Sequence, residues 1–169
     1  MRIRDATPAD AEAVRRVHAD SIEGLGPEAY SQEQVEAWAL GCESADYDAA
    51  IRQTDAFLVA ERDGEVVGFG SLDLEPSEQD YESSPDAEIT GVYVHPSVVR
   101  EGVGTALYGE LEERARVADV DTLGLLASRN AVSFYEAMGY ERVAEHDHEF
   151  SSHESTGVTG TVVELAVDL

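Results

Sequence analysis

The sequence predicts one mixed α/β (α+β) domain over residues 1–169, a mostly antiparallel central sheet of about seven strands with about four helices. Three observations carry this. Two apolar, β-branched runs flank Asp63-Gly64, a strong hairpin signal. A strand–turn–helix–strand unit follows in the middle of the chain, around the glycines of VVREGVGTALYGE, residues 98–110. The chain then closes on two further strand-like runs, with no repeat, linker or second composition zone between. A length of 169 residues with 43% hydrophobic content suits one sizeable core.

Each element follows from local signals. MRIRDA reads as a short first strand, and Thr7-Pro8 opens a helix with Thr7 as N-cap and Pro8 at the first helical position. Ala11, Val14, Val17 and His18 recur at helical spacing on one face. EGLGPEAY ends that helix, and Ser31 with Gln34 forms a capping box before a second one through Val35 and Trp38. AFLVAERDGEVVGFGSLDL is the hairpin, EPSEQDYESSPD an acidic loop, and AEITGVYVHP a strand stopped by Pro96. Val103, Leu107, Leu111 and Ala115 form the stripe of a third helix, flanked by Ala106 and Ala118. TLGLLAS is a short buried strand. NAVSFYEAMG is a fourth helix, with Asn130 as its cap and Gly139 as its stop. YERVAEHDHEF and TGTVVELAVDL pair across the polar loop SSHESTGV.

Charge narrows the partners. Eleven basic residues, all arginine, stand against 36 acidic ones, a net charge of −25. Apolar content and clear periodicity argue against disorder. A dense carboxylate surface is the adaptation expected in a salt-rich cytoplasm, where salt screens the self-repulsion. No basic stripe exists to neutralise phosphates, so nucleic acid is excluded as a partner. No apolar run approaches the ~20 residues of a membrane span, and the segment Met1-Arg2-Ile3-Arg4-Asp5 lacks the apolar region of a secretory signal. A cytoplasmic protein is expected, with no membrane partner. The single cysteine, Cys42, cannot form an internal disulfide.

The glycine turn can hold an anion, and its chemistry is restricted. A P-loop needs a lysine after its second glycine, and the chain has no lysine. A dinucleotide turn needs a small third residue, where this chain has Leu107, and it sits in the first βα unit of a parallel sheet. What remains is a strand ending in VYVHP, a short turn and a helix N-terminus, whose free N–H groups and dipole suit a pyrophosphate. Gly102 and Gly104 let the main chain approach it without an intervening Cβ. A plain tight turn is the competing reading of two glycines alone.

The surrounding residues decide between them. ITGVYVHPSVVREGVGTALYGEL resembles the central strand, pyrophosphate turn and following helix of the GNAT superfamily of acyl-CoA-dependent N-acetyltransferases. SRNAVSFYEAMGYERV resembles its second signature, and the two stand at the family's separation, covering about residues 86–143. The resemblance implies a GNAT-like acyl-CoA N-acyltransferase fold and acetyl-CoA as cofactor, released as CoA. One departure stands out. The family turn opens on glutamine or arginine, and here Val99 takes that place with Arg100 one residue late. Binding through main-chain N–H groups is expected to survive this, with weaker cofactor affinity as its open consequence.

The resemblance assigns roles residue by residue. The turn residues Val99, Arg100, Glu101, Gly102, Val103, Gly104 and Thr105 are expected around the pyrophosphate. The main chain of Val92, Tyr93 and Val94 is expected to pair with the pantetheine arm like an added strand, one amide polarising the thioester carbonyl. Tyr135 stands where the family has the phenol that protonates the CoA thiolate, and Asn130 caps its helix and meets the arm. An alkyl ammonium of pKa ~10 must lose a proton before attack. Glu88 stands where the protein-acetylating branch carries its base; a solvated edge glutamate is the competing reading.

The remaining candidates are weaker. Cys42 has no base beside it and reads as a buried or idle thiol rather than an acyl carrier. His146, His148 and His153 lack the frame that fixes a metal, and none is expected. His18 reads as a helix-face residue. The acceptor side of this family is built from the first two helices and the closing strands, which offer Tyr30 and Trp38. The expected reaction is acetyl transfer from acetyl-CoA to a primary amine by direct attack in a ternary complex. The acceptor is a small-molecule amine, or a protein N-terminus or lysine. The alternative is a non-catalytic acyl-CoA-binding or regulatory domain that keeps the turn and loses the chemistry. Assembly is left open, a homodimer among the possibilities.

Overall fold

The computed structural model describes residues 1–77 and 80–169. Glu78 and Gln79, inside the expected acidic loop, lie outside the described residues. Seven strands are formed: β1 (Arg2–Asp5), β2 (Ala56–Arg62), β3 (Glu65–Asp73), β4 (Ala87–Val94), β5 (Thr122–Ser128), β6 (Glu141–Glu149) and β7 (Thr159–Asp168). They make one sheet in the order β1-β2-β3-β4-β5-β7-β6. Every neighbouring pair is antiparallel except β4 and β5, which run parallel. Helices α1 (Ala11–Leu25), α2 (Gln32–Ser44) and α3 (Tyr47–Gln53) separate β1 from β2. Helix α4 (Val103–Val117) links β4 to β5, and α5 (Val132–Glu136) links β5 to β6.

The alternation of β2 divides the core. Leu58 and Ala60 pack with Leu107, Leu111 and Ala115 of α4, together with Leu72, Leu123 and Leu165. Their neighbours Phe57 and Val59 turn to the other face, against Val14 and Val17 of α1 and Tyr47 and Ile51 of α3. The hairpin between β2 and β3 turns at Asp63 and Gly64, both at positive φ (52° and 81°), as a two-residue primed turn requires. The Ser31–Gln34 capping box is made in both directions, at 3.2 and 2.8 Å.

Three local readings need correction. A fifth helix, α3, lies where the pattern predicts none; its seven residues bury only Tyr47 and Ile51, too few to show a period. The first helix opens through a 3-10 turn, Pro8–Asp10, before α1. There Asp10 accepts from the Thr7 amide at 2.8 Å and from both Arg4 terminal nitrogens at 2.8 and 2.9 Å, which holds the entry tight. Asn130 is not a helix cap. It sits inside a 3-10 turn, Arg129–Ala131, whose preceding residue is Ser128, and α5 begins only at Val132.

Candidate active site

The site is created by two strands that part. β4 pairs with β5 only at Ala87–Leu123 and Glu88–Gly124. Just beyond, the register of β4 against β3 jumps from Leu72–Ile89 to Ser71–Gly91, leaving Thr90 as the extra residue of a bulge. From there to Val94 the side of β4 facing β5 has no strand partner among the described residues. A cleft of about 750 Å³ opens in the gap, walled by Val92, Tyr93 and Val94 on one side and by Asn130, Phe134 and Tyr135 on the other.

The register decides which main-chain groups face this cleft. The His95 amide donates to Val67 at 2.8 Å, so His95, Tyr93 and Gly91 direct their N–H and C=O toward β3. Val92 and Val94, in between, direct theirs toward the cleft. Tyr93 is therefore corrected: it offers its ring to the site but not its main chain. Burial raises its phenol to about 12.

At the cleft's end lies the glycine turn. Gly102 adopts a left-handed conformation (φ 85°), as does Arg100 (φ 63°), and α4 starts directly after. The first helical bond runs from the Ala106 amide to Gly102 O at 3.0 Å. Among the described residues, the amides of Gly102, Val103, Gly104 and Thr105 meet no acceptor within the protein. Val99, Arg100 and Gly104 line the cleft, while Gly102, Val103 and Thr105 border a smaller cavity beside it. The side chain of Val103 lies in the core, so that residue offers only its amide. Arg100 is exposed and lines the cleft one residue after Val99. Glu101 turns its carboxylate outward to Arg62, at 3.0 Å.

Tyr135 is buried, 5% exposed, with its ring edge-on to Phe134, Tyr108 and Tyr140. Burial raises its phenol, so it remains a proton donor across neutral pH. Asn130 donates weakly to Leu25 O at 3.5 Å, while its Oδ1 is buried without any donor. An orphaned acceptor on a cleft wall is suited to a ligand N–H.

Glu88 lies apart from Tyr135. It lines a second cavity, of about 220 Å³, which shares Trp38, Tyr93 and Ser128 with the cleft. Burial raises its carboxyl, and the hydrogen bond from the Tyr81 hydroxyl opposes that rise. Trp38 thus borders both spaces, but Tyr30 borders neither. The Tyr30 hydroxyl donates to Thr161 O at 2.7 Å and accepts from the Arg129 amide at 3.0 Å, so it is a strut between elements and not an acceptor contact. Tyr81, His148 and Phe150 line the second cavity beside Glu88, a placement that sequence reasoning did not give. An aromatic residue inside an acidic loop was the one available signal for Tyr81.

The other candidates fall outside the site. His18 contacts the Tyr47 hydroxyl at 2.8 Å, packs on Phe69 and Tyr93, and is driven by burial to a pKa of about 4. Cys42 is buried and its thiol raised. His146 pairs with the fully buried Glu164 at 2.8 Å. Among the described residues no group of three His, Cys, Asp or Glu could hold a metal, and no helix is long and apolar enough to cross a membrane.

Known proteins are similar to this chain in sequence and in fold. The chain is 36% identical over 120 residues to an aminoglycoside N(6')-acetyltransferase type 1 from Stenotrophomonas maltophilia, covering 69% of this chain and 68% of that one. It is 30% identical over 93 residues to an uncharacterized N-acetyltransferase from Lactobacillus delbrueckii subsp. lactis, spanning 53% of this chain and about half, 54%, of that relative's length. A GCN5-related N-acetyltransferase from Rhodopseudomonas palustris superposes with a TM-score of 0.84 at 29% identity, over 99% of this chain and 95% of the other. The PaiA N-acetyltransferase from Thermoplasma acidophilum, solved with coenzyme A, shares the fold at a TM-score of 0.75 and 21% identity, over 99% and 98%. Residues 23–140 match the model of the acetyltransferase (GNAT) family, and the chain belongs to that family.

Proposed function

We propose that the protein moves an acetyl group from acetyl-CoA to a primary amine by direct attack in a ternary complex. The observation that carries this is the parted β4–β5 edge leading to the amides at the start of α4 that have no acceptor within the protein among the described residues. The residues present fit the cofactor. Four free amides and the α4 dipole suit a pyrophosphate, and Arg100 adds a cation. The cleft-facing groups of Val92 and Val94 suit an amide-bearing arm, and Asn130 Oδ1 awaits a donor.

When bound, acetyl-CoA supplies an acetyl thioester activated toward an amine. The N–H groups of Val92 and Val94 are the donors available to a carbonyl oxygen lying along β4. Glu88, whose carboxyl is raised by burial, takes a proton from the acceptor ammonium at Oε1 or Oε2, directly or through water. Tyr135 Oη, on the opposite wall, holds the proton that a departing thiolate takes up.

Free thiol release from acetyl-CoA, followed over a panel of primary amines, tests this reading. Amine-dependent release is expected. Tight CoA binding without release by any amine would instead favour a non-catalytic CoA-binding module.

A further inference from the structure

The second cavity has a chemistry of its own. One side of it is aromatic and aliphatic: Trp38 and Phe150 are stacked with centroids 5.5 Å apart, beside Tyr93, Leu126 and Val162, while the hydroxyls of Thr90 and Ser128 add polar points to the lining. One carboxylate enters it, that of Glu88, held by the Tyr81 hydroxyl. Among the described residues no arginine lines it, and His148 is its one basic group. At about 220 Å³ it is smaller than the ~300–1,000 Å³ of pockets for drug-sized ligands.

From this lining we infer that the acceptor is a small primary amine carrying one positive charge on an apolar, preferably aromatic, body and no carboxylate. The inference rests on the transfer reading above and narrows it. Glu88 supplies the lining's countercharge for an ammonium, and the indole of Trp38 on the same cavity adds cation–π attraction. The stacked Trp38 and Phe150 offer their area to a ring or alkyl chain. An amino acid would bring a carboxylate next to Glu88 with no arginine to pair it, a buried like-charge contact that is strongly unfavourable. An aminoglycoside or polyamine would bring several ammonium groups into a space with one carboxylate in its lining, Asp73 and Asp80 lying near Glu88 but not among the lining residues. The relative that acetylates aminoglycosides is thus expected to differ from this chain in its acceptor cavity.

The chain reports on the cavity by itself, because Trp38 is its single tryptophan and borders both spaces. Tryptophan fluorescence of the full chain is titrated at neutral pH in molar salt, with and without saturating CoA. The probes are phenethylamine, phenylalanine, spermidine and kanamycin. Phenethylamine is expected to saturate the signal, with phenylalanine weaker by about tenfold or more. Glu88→Gln is expected to weaken phenethylamine by about tenfold or more while far-UV circular dichroism stays unchanged. Equal or tighter binding of phenylalanine or kanamycin overturns the inference, and that comparison needs no variant. Unchanged phenethylamine affinity in Glu88→Gln also overturns it. The two readings fail separately. Thiol release with kanamycin but not with phenethylamine keeps the transfer reading and removes this one. Selective phenethylamine binding without thiol release from any amine keeps the cavity assignment and removes the transfer.

Discussion

The phenol of Tyr81 donates to Oε2 of Glu88 from a loop fastened elsewhere. The amides of Glu82 and Ser83, next along that loop, donate at 2.8 and 2.9 Å to the carboxylate of Glu164 in the middle of β7. Glu164 is fully buried, and His146 completes its coordination. A buried charge satisfied by three donors is a firm anchor for an otherwise irregular segment. The loop can thereby hold a hydroxyl against the proposed base.

That contact sets a pH dependence. The groups facing Glu88 are Asp73 across β3, Asp80 and Tyr81 on the loop, and Tyr93 and His148 across the cavity. Burial raises the Glu88 carboxyl, Asp73 and Asp80 raise it further, and only Tyr81 lowers it. Tyr81→Phe removes the lowering contact, so the carboxylate form is lost at higher pH than in the wild type. The acid limb of kcat/KM is expected to move upward, with rates converging at alkaline pH. A limb that stays in place would show that Tyr81 merely packs. Glu88→Gln is expected to abolish the limb altogether.

Gly104 separates folding from binding. A Cβ there would lie 3.5 Å from Phe134 and Val94, ordinary contacts, so Gly104→Ala meets no clash. In the first turn of α4 it is expected to stabilise the protein by up to about 1 kcal/mol, through lower unfolded-chain entropy. The same methyl enters the corner where the free amides approach the pyrophosphate. CoA is expected to bind about tenfold more weakly while the unfolding midpoint holds or rises. Unchanged CoA affinity would place the diphosphate elsewhere.

Tyr135→Phe addresses the leaving group. The ring packs among Phe134, Tyr108 and Tyr140, and phenylalanine preserves those edge contacts. Only the hydroxyl, and with it the transferable proton, is removed. Turnover is expected to fall by about 10²-fold, the lower end for general-acid loss, because a thiolate of pKa ~8.5 leaves tolerably without help. CoA affinity is expected to stay nearly constant in calorimetry. An unchanged turnover would exclude Tyr135 as the acid.

The residues that sequence placed well are those whose signal is local. Asp63-Gly64 fixes its hairpin, Ser31 with Gln34 fixes the start of α2, and the glycine turn fixes the start of α4. The misplaced residues depend on distant partners. Tyr30 precedes α2 and Trp38 lies within it, yet contacts with Thr161 and Arg129 make the first a strut. Tyr93 loses its main-chain role through the β3–β4 register, set by a bulge at Thr90 that no residue type announces. Asn130 reads as a cap by type, but the turn ends late and aims it at the cleft instead. Tyr81 reaches Glu88 only because Glu164, over eighty residues away, ties down its loop.

The charge of the chain bears on cofactor binding as a whole. CoA is a polyanion, and it must approach a protein of net charge −25. At its binding corner the chain offers the α4 amides and Arg100, while Glu101 is neutralised by Arg62. Glu28 lines the same cleft. Salt weakens the attraction to one exposed arginine, but it also screens repulsion from the whole acidic surface. The Debye length shrinks from ~10 Å at 0.1 M to ~3 Å at 1 M, below the spacing over which the surface field acts. Close contacts with the amides are screened far less than that long-range field. The repulsive part therefore falls more, and CoA is expected to bind more tightly at 1 M than at 0.1 M potassium chloride. Calorimetry decides this on protein that circular dichroism shows to be folded at both salts, so that added folding does not enter the measured affinity. A dissociation constant that rises with salt would mean that direct phosphate pairing with Arg100 outweighs the field of the thirty-six carboxylates.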